Sequence, residues 1–352
     1  MPHADHFGPL RGEAPPVVHA LDFSAWKRPF VRHCFPASDV KFVSHLSAVP
    51  RDGCVLLWGR REPESLPQGV RVLRVEDGFV RSVGLGADLV RPMSWVIDSR
   101  GIHYDANSIS DLEHLLQTTD FDDALRQRAR ALGDTIVSDR LTKYNVAARP
   151  WQRPSDARRT ILVPGQVETD ASLAFGAPGI RRNMDLLRAV RTAHPDAYVV
   201  YKPHPDVVAR LRAAGQDESS ALRWCDEVAV DVSMDSLLDA VDELHVMTSL
   251  AGFEALLRRK RVTCHGLPFY AGWGLTTDHI PCPRRSRKLT LDELVAGVLI
   301  RYPVYFDRNG TGRVSPETAL EQLRTWREQS GGRQPWWRPL MRMVLRQVVG
   351  VR

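Results

Sequence analysis

An α/β protein with a parallel sheet is predicted from three observations. In the second half of the chain, short apolar runs alternate with stretches of helical spacing, the pattern of right-handed βαβ units. In the first half, short apolar runs are each closed by Gly, Pro or charge, as strands are. The 352 residues, 43% hydrophobic and 26% charged, supply enough core for one to three ordinary globular domains.

The elements follow in order. Residues 40–44, 54–58 and 71–75 read as strands. Residues 94–98 and 102–105 flank Ser99, Arg100 and Gly101 and are expected to form a hairpin. Ser110 is placed to cap one helix, and residues 122–138 carry apolar side chains at helical spacing. Residues 149–159 are rich in Pro and Arg and lack periodicity, so they read as an interdomain linker. Beyond it, strands at 160–163, 198–202, 227–230, 244–247 and 262–264 alternate with helices at 183–193, 207–214, 234–241 and 252–259. Helices at 291–300 and 316–329 follow. The expected division is therefore 1–150, 151–310 and a C-terminal part 311–352. In parallel sheets ligands bind at the carboxyl ends of strands, and Gln166, His204 and Ser249 each stand just after one.

Composition excludes several classes. No apolar run approaches a membrane span, and residues 1–20 lack a signal-peptide pattern and read as loose. Five scattered cysteines, none in a Cys-x-x-Cys pair, fit a reducing cytoplasm rather than a disulfide or zinc framework. Net charge is +6, yet no helix-turn-helix, zinc-finger or RNP pattern accompanies it, so nucleic acid is not the expected partner. An anionic lipid surface or an anionic sugar nucleotide accounts for the charge. No His, Asp and Glu share metal-ligand spacing, so neither a metal nor another cofactor is expected.

The polar residues near strand ends carry the chemistry. Lys202 and His204 end one strand and can donate to a phosphate. His194-Pro195 repeats the His204-Pro205 dipeptide, but at a helix end where Pro stops the helix. Thr248 and Ser249 precede a helix, where hydroxyls and free N–H groups serve an anion or a plain cap. Glu254 has two readings, a ribose acceptor or a partner of the helix dipole. Glu76 and Asp77 are adjacent carboxylates on opposite sides of a strand end, so at most one faces a cleft, with Arg81 a turn later. Glu168 and Asp170 lie among Gln166 and Ser172 in a further loop, and either acid can cap the turn that follows. The stretch 262–276 interleaves Gly, Pro and aromatic residues and reads as a shaped loop at a ligand.

Five of these segments, in order, resemble one family. They are Val75-Glu-Asp-Gly-Phe-Val-Arg-Ser-Val-Gly-Leu-Gly86, Pro164-Gly-Gln-Val-Glu-Thr-Asp-Ala-Ser172, Tyr201-Lys-Pro-His-Pro-Asp206, Thr248-Ser-Leu-Ala-Gly-Phe-Glu-Ala-Leu-Leu-Arg258 and Pro268-Phe-Tyr-Ala-Gly-Trp-Gly-Leu-Thr276. The chain resembles the bacterial capsular-polysaccharide β-Kdo transferases, where Kdo is 3-deoxy-D-manno-oct-2-ulosonic acid delivered as CMP-Kdo. The resemblance implies a GT-B-like α/β fold: two Rossmann-like domains with a cleft between them, and C-terminal helices. It implies retaining transfer of Kdo from CMP-β-Kdo to a lipid-linked Kdo acceptor, building the linker of a capsule. It places the nucleophile of a double displacement on Asp170, with Glu168 as in-chain competitor, and acid/base work on Glu76 or Asp77. Donor contacts fall on Gln166, Ser172, Lys202, His204, Thr248, Ser249, Glu254 and Gly272. Arg81 or Arg181 would pair with the Kdo carboxylate. The His-Pro and acidic-acidic-Gly motifs are similar to those of bacterial sialyltransferases, where the former binds the CMP phosphate. Two departures stand out: family members often carry two such modules in tandem, whereas this chain has room for one, and Thr169 stands where an acidic residue is expected. The alternatives are a related ulosonic- or sialic-acid transferase, and a non-catalytic glycolipid-binding subunit of the assembly complex.

The tail adds a partner. Trp336 and Trp337 stand beside Arg338, Arg342 and Arg346, which recur every four residues. Such a helix suits a membrane interface or packs on the body. The membrane reading gives an expected location in the cytoplasm, peripheral on the inner membrane.

Overall fold

The computed structural model describes residues 14–330 apart from 62, 64, 85–89 and 146–148. The basic tail beyond residue 330 lies outside the described residues, as does the end of the segment 75–86.

In chain order the first half comprises β1 (Val17–Leu21), α1 (Arg28–Cys34), β2 (Asp39–Val43), β3 (Cys54–Trp58), β4 (Arg71–Asp77), β5 (Ser94–Asp98), α2 (Asp111–Thr118) and α3 (Asp123–Ser138). The second half comprises β6 (Thr160–Pro164), α4 (Ala171–Gly176), α5 (Asn183–Ala193), β7 (Tyr198–Lys202), α6 (Pro205–Val208), β8 (Glu227–Val228), α7 (Met234–Ala240), β9 (Glu243–Val246), α8 (Ala251–Leu257), β10 (Arg261–Cys264) and β11 (Thr277–Asp278). The chain then runs through α9 (Leu291–Val295), which continues as a π-helical stretch Ala296–Arg301, to β12 (Pro303–Phe306), β13 (Arg313–Val314) and α10 (Pro316–Ser330).

Two sheets result. The first is ordered β13-β12-β5-β4-β3-β1-β2 and the second β11-β10-β9-β6-β7-β8. All pairings in the second are parallel. In the first, β2, β1, β3 and β4 are parallel, while β5, β12 and β13 join antiparallel. Parallel strands covered on both faces need apolar residues at successive positions. Accordingly β6 buries all five of its residues, and β3 buries the first four of Cys54–Trp58. The predicted α/β class holds, and the architecture is GT-B-like.

Helix starts follow local chemistry. The Ser110 side chain accepts from the Glu113 amide, Asp122 from Leu125, and Thr290 forms a capping box with Glu293.

Four expectations change. Residues 102–105 form no strand: the Asp98 carboxylate accepts from the amides of Arg100 (3.0 Å), Gly101 (2.8 Å) and Asp111 (2.9 Å), turning the chain toward α2 instead of back along β5. Part of the supposedly loose N-terminus is β1, whose last four residues are buried between β2 and β3. The short helix expected at 207–214 is only α6, Pro205–Val208. Finally, β12 and β13 cross back to the first sheet, although the expected boundary at 310 would leave β12 with the second half. Val304 and Phe306 supply the reason: they complete the core of Phe30 and Trp95, with Phe306 5.2 Å from the Phe30 ring and 5.7 Å from Trp95.

Candidate active site

The loops after β3, β4, β6, β7 and β9 meet at the carboxyl edges of the two sheets, and the site is built there. Glu76 and Asp77 end β4. Asp77 is held by Arg81 at 2.6 Å, and Arg81, 5% exposed, also donates to Ser82 Oγ at 3.2 Å. That guanidinium is committed to Asp77 rather than free for a substrate carboxylate. Glu76 is half-buried, beside Gly59 and the Tyr104 hydroxyl: a side chain on Gly59 would meet Tyr104 Oη at 2.9 Å and Glu76 Oε2 at 3.1 Å. Gly59 has φ of 59°, so both space and backbone select glycine there. Burial, then the neighbouring Asp77 charge, push Glu76 up to about 7.

The loop after β6 separates its two acids. Glu168 accepts from the Asn183 amide (2.8 Å) on one oxygen and the Gln216 amide (3.0 Å) on the other. Asp170 is exposed and caps α4, its Oδ1 accepting from the Ser172 amide at 2.8 Å. Its Oδ2 receives no hydrogen bond from a described residue. Gln166 pairs with Thr248 twice, donating to its hydroxyl at 3.0 Å and accepting its amide at 2.9 Å. These two predicted donor contacts therefore also lock the β6 and β9 loops together.

His204 caps α6, its Nδ1 accepting from the Asp206 amide at 3.1 Å. That bond puts the ring proton of the neutral imidazole on Nε2, which remains a donor. Burial, then the Lys143 charge, bring His204 down to about 4, so the ring is neutral near pH 7. His194 lies elsewhere, 3.3 Å from an Arg159 nitrogen and 5.1 Å from the His245 ring.

Several predicted contacts have structural duties. The Lys202 ammonium donates to the Val232 carbonyl at 2.7 Å and approaches those of Ala229 and Val230 at 3.4 Å, and burial lowers it to about 8. Ser249 Oγ accepts from the Ala251 amide at 3.3 Å. The buried Glu254 carboxylate accepts from the Lys143 amide at 2.8 Å, tying α8 to the segment before the linker. Arg181 is exposed and donates to the Ala177 carbonyl at 2.7 Å.

The aromatic loop is a packed brace. Phe269, Tyr270 and Trp273 are 7%, 0% and 0% exposed. Trp273 donates to the Phe269 carbonyl at 2.8 Å, Tyr270 donates to the Ser249 carbonyl, and Phe269 lies 4.5 Å from Phe79 of the first half. Gly272, with φ of 84°, donates its amide to Asp278 at 2.9 Å. Arg285 fastens the loop by donating to the carbonyls of Pro268 and Ala271, and it pairs at 2.8 Å with Glu113 of α2.

Lys143 and Tyr104 are absent from the sequence-based set. Lys143 lies in the fields of Glu76, Asp77, Asp170 and His204, and Tyr104 in those of Glu76 and Asp170. Lys27 adds a half-buried cation near Glu76 and Asp77, 3.0 Å from the Trp58 ring centroid. The one available signal for Lys143 was a Lys-Tyr pair between a helix and the linker, which no periodicity marks. Among the described residues, His194, Glu243 and His245 bring potential metal ligands within 4.8 Å of one another. They lie toward the amino ends of β7 and β9, opposite the site loops, and Arg159 occupies the Glu243 carboxylate at 2.5 Å.

Two sheets whose loops carry acids, a neutral imidazole and lysine define a GT-B-like α/β protein. Residues 53–149 and 128–305 match the family model described as capsule polysaccharide biosynthesis protein. The chain belongs to this family. It is 44% identical over 325 residues to the capsule polysaccharide modification protein LipA of Neisseria meningitidis serogroup B, covering 89% of this chain and 46% of that protein. It is 40% identical to the lipopolysaccharide-processing protein LpsZ of Rhizobium meliloti, covering 84% of this chain and 71% of that one. The chain thus spans about half the length of the Neisseria relative. Two solved structures of Thermosulfurimonas dismutans KpsC are similar. The β-Kdo 2,7 transferase has a TM-score of 0.73 and 40% identity, covering 88% of this chain and 98% of that one. The β-Kdo 2,4 transferase has a TM-score of 0.75 and 28% identity, covering 89% and 99%. The family resemblance drawn from the five segments therefore holds.

Proposed function

We propose that this chain is a retaining β-Kdo glycosyltransferase, moving Kdo from CMP-β-Kdo to a lipid-linked Kdo acceptor during capsule linker synthesis. The observation that carries the reading is the contrast between the two acids after β6. Both oxygens of Glu168 are tied to backbone amides, whereas exposed Asp170 accepts on Oδ1 alone among the described residues and lies within the electrostatic reach of Lys143 and His204. Asp170 Oδ2 attacks the anomeric carbon of Kdo, the bond to the phosphate oxygen breaks, and CMP departs. The acceptor hydroxyl then attacks the same carbon from the opposite face, the Asp170 ester bond breaks, and the hydroxyl proton passes to Glu76. Two inversions give net retention. Between the adjacent carboxylates, Asp77 is held by Arg81, while Glu76, near 7, suits proton transfer.

Charge on the departing phosphate is met by the Nε2–H of His204, and the Ser249 hydroxyl is assigned to the same phosphate. No metal is assigned a role in this step. No helix among the described residues is long and apolar enough to cross a membrane. Contact with the lipid acceptor at the cytoplasmic face of the inner membrane is assigned to the basic tail. The test is incubation of purified protein with CMP-Kdo and a Kdo-bearing lipid acceptor, following CMP release and reading the anomeric configuration by NMR. A β-linked product supports the proposal. An α-linked product overturns the retaining reading, and multiple-turnover CMP release that acceptor does not stimulate overturns transfer to that acceptor.

A further inference from the structure

We propose that the Lys143 side chain anchors an oxyanion of the donor at the junction of the two halves. This inference rests on the reading of the cleft as a CMP-Kdo site and adds a binding residue to it.

The backbone around Lys143 is fixed from both sides. Its amide donates to Glu254 of α8 at 2.8 Å, and its carbonyl accepts from the Ser82 amide at 3.4 Å. The next carbonyl, of Tyr144, accepts from the Gly84 amide at 2.7 Å. Asn145, with φ of 48°, donates its side-chain amide to the carbonyls of Ser82 (3.0 Å) and Thr142 (2.6 Å), closing the turn. The main chain thus does the structural work, and the side chain is left for another purpose.

Among the described residues that side chain has no direct hydrogen-bond or ion-pair partner. The half-buried residue's ammonium lies 5.3 Å from the Tyr144 ring centroid. Two other basic groups are spent, Arg81 on Asp77 and Lys202 on backbone carbonyls. Tyr144 in turn lies 6.4 Å, ring to ring, from His204, so the segment flanks the proposed phosphate donor. Glu76, Asp77 and Asp170 all act on the ammonium, which places it among the acids of both halves. Tyr144, then Asp77 and Asp170, outweigh burial and hold the Lys143 ammonium above the ordinary lysine range, so it stays charged with its donors left for a ligand. An ammonium with three donors suits a carboxylate or a phosphate. The donor offers both, in the sugar carboxylate and the nucleotide phosphate.

The experiment measures the donor KM and the competitive Ki of CMP for the wild type, Lys143→Met and Lys143→Arg. Thermal melts confirm folding, and pH profiles are recorded alongside. Lys143→Met is expected to raise the donor KM about tenfold to a hundredfold, the loss typical of a charged hydrogen bond, and Lys143→Arg to recover most of it. If the phosphate is the ligand, the Ki of CMP rises in step. If the sugar carboxylate is, CMP inhibits the variant as well as the wild type. Either pattern supports the anchor. Removing the cation should also move the Glu76 ionisation seen in the pH profile upward, because Lys143 acts on that carboxyl. Donor KM and CMP Ki both within twofold of wild type in the Met variant overturn the inference. Should Lys143→Met fail to fold, Lys143→Arg carries the test, a donor KM raised a hundredfold or more despite retained charge being the contrary result. A wild type that binds neither CMP nor CMP-Kdo overturns the donor reading itself, and this inference with it.

Discussion

Replacing Glu76 by Gln removes a carboxyl group whose ionisation its surroundings oppose, so the variant should be more stable at alkaline pH. Burial, then Asp77, raise Glu76 from 4.5 to about 7. Between those values the native state holds the proton and the unfolded chain releases it. The wild type therefore loses about 1.4 kcal/mol of stability per pH unit from this group as pH rises through the window. The whole window is worth roughly 3 kcal/mol, and partial exposure with sharing of charge by Asp77 reduces this to about 2 kcal/mol. Gln keeps an oxygen to accept the Asp77 amide, now at 3.0 Å from Glu76 Oε1. Glu76→Gln should match the wild type at pH 4.5 and melt about 3–5 °C higher at pH 8. Thermal unfolding by circular dichroism across that range measures it. A melting difference that does not change with pH, or a variant less stable than wild type at pH 8, would refute the reasoning. Transfer should be lost in the same protein, because the proton acceptor is gone.

Two further outcomes follow from the geometry and a third from the sequence of the tail. His204→Ala should weaken CMP binding about tenfold to a hundredfold while His194→Ala leaves it unchanged, as titration calorimetry would show; the reverse pattern would mean that the other His-Pro serves the phosphate. Glu113→Ala leaves Arg285 buried without its carboxylate and should cost about 3–5 kcal/mol of stability in denaturant titrations, whereas a cost below about 1 kcal/mol would show that the clamp contributes little. Removing residues 334–352 should release the protein from anionic vesicles in co-sedimentation while transfer to a water-soluble Kdo acceptor persists; unchanged vesicle binding would count against the tail as the membrane contact.

Much of the second half was legible because βαβ alternation is a local pattern, and each strand ends in a loop that announces itself. The crossover of β12 and β13 was not, since pairing of Val304 with Trp95 joins residues far apart in sequence. The stretch 268–276 has the composition of a ligand loop, but composition does not say which way aromatic rings face, and here they fill the core between the halves. The positions of Gln166, Thr248 and Lys202 after strand ends were visible in advance. Their spending of polar groups on each other, or on the carbonyls of 229, 230 and 232, depends on partners that only the folded chain brings near. Lys143 lies in no motif and gains its place from Glu254, more than a hundred residues away.

The central claim is that Asp170 is the nucleophile. Intact-mass measurement of wild-type protein quenched after incubation with CMP-Kdo, without acceptor, tests it most directly. The account predicts a mass gain of one Kdo residue, mapped by peptide digestion to Asp170 and absent from an Asp170→Asn variant that folds but does not transfer. An adduct on Glu168, or full transfer by the Asn variant, would contradict it.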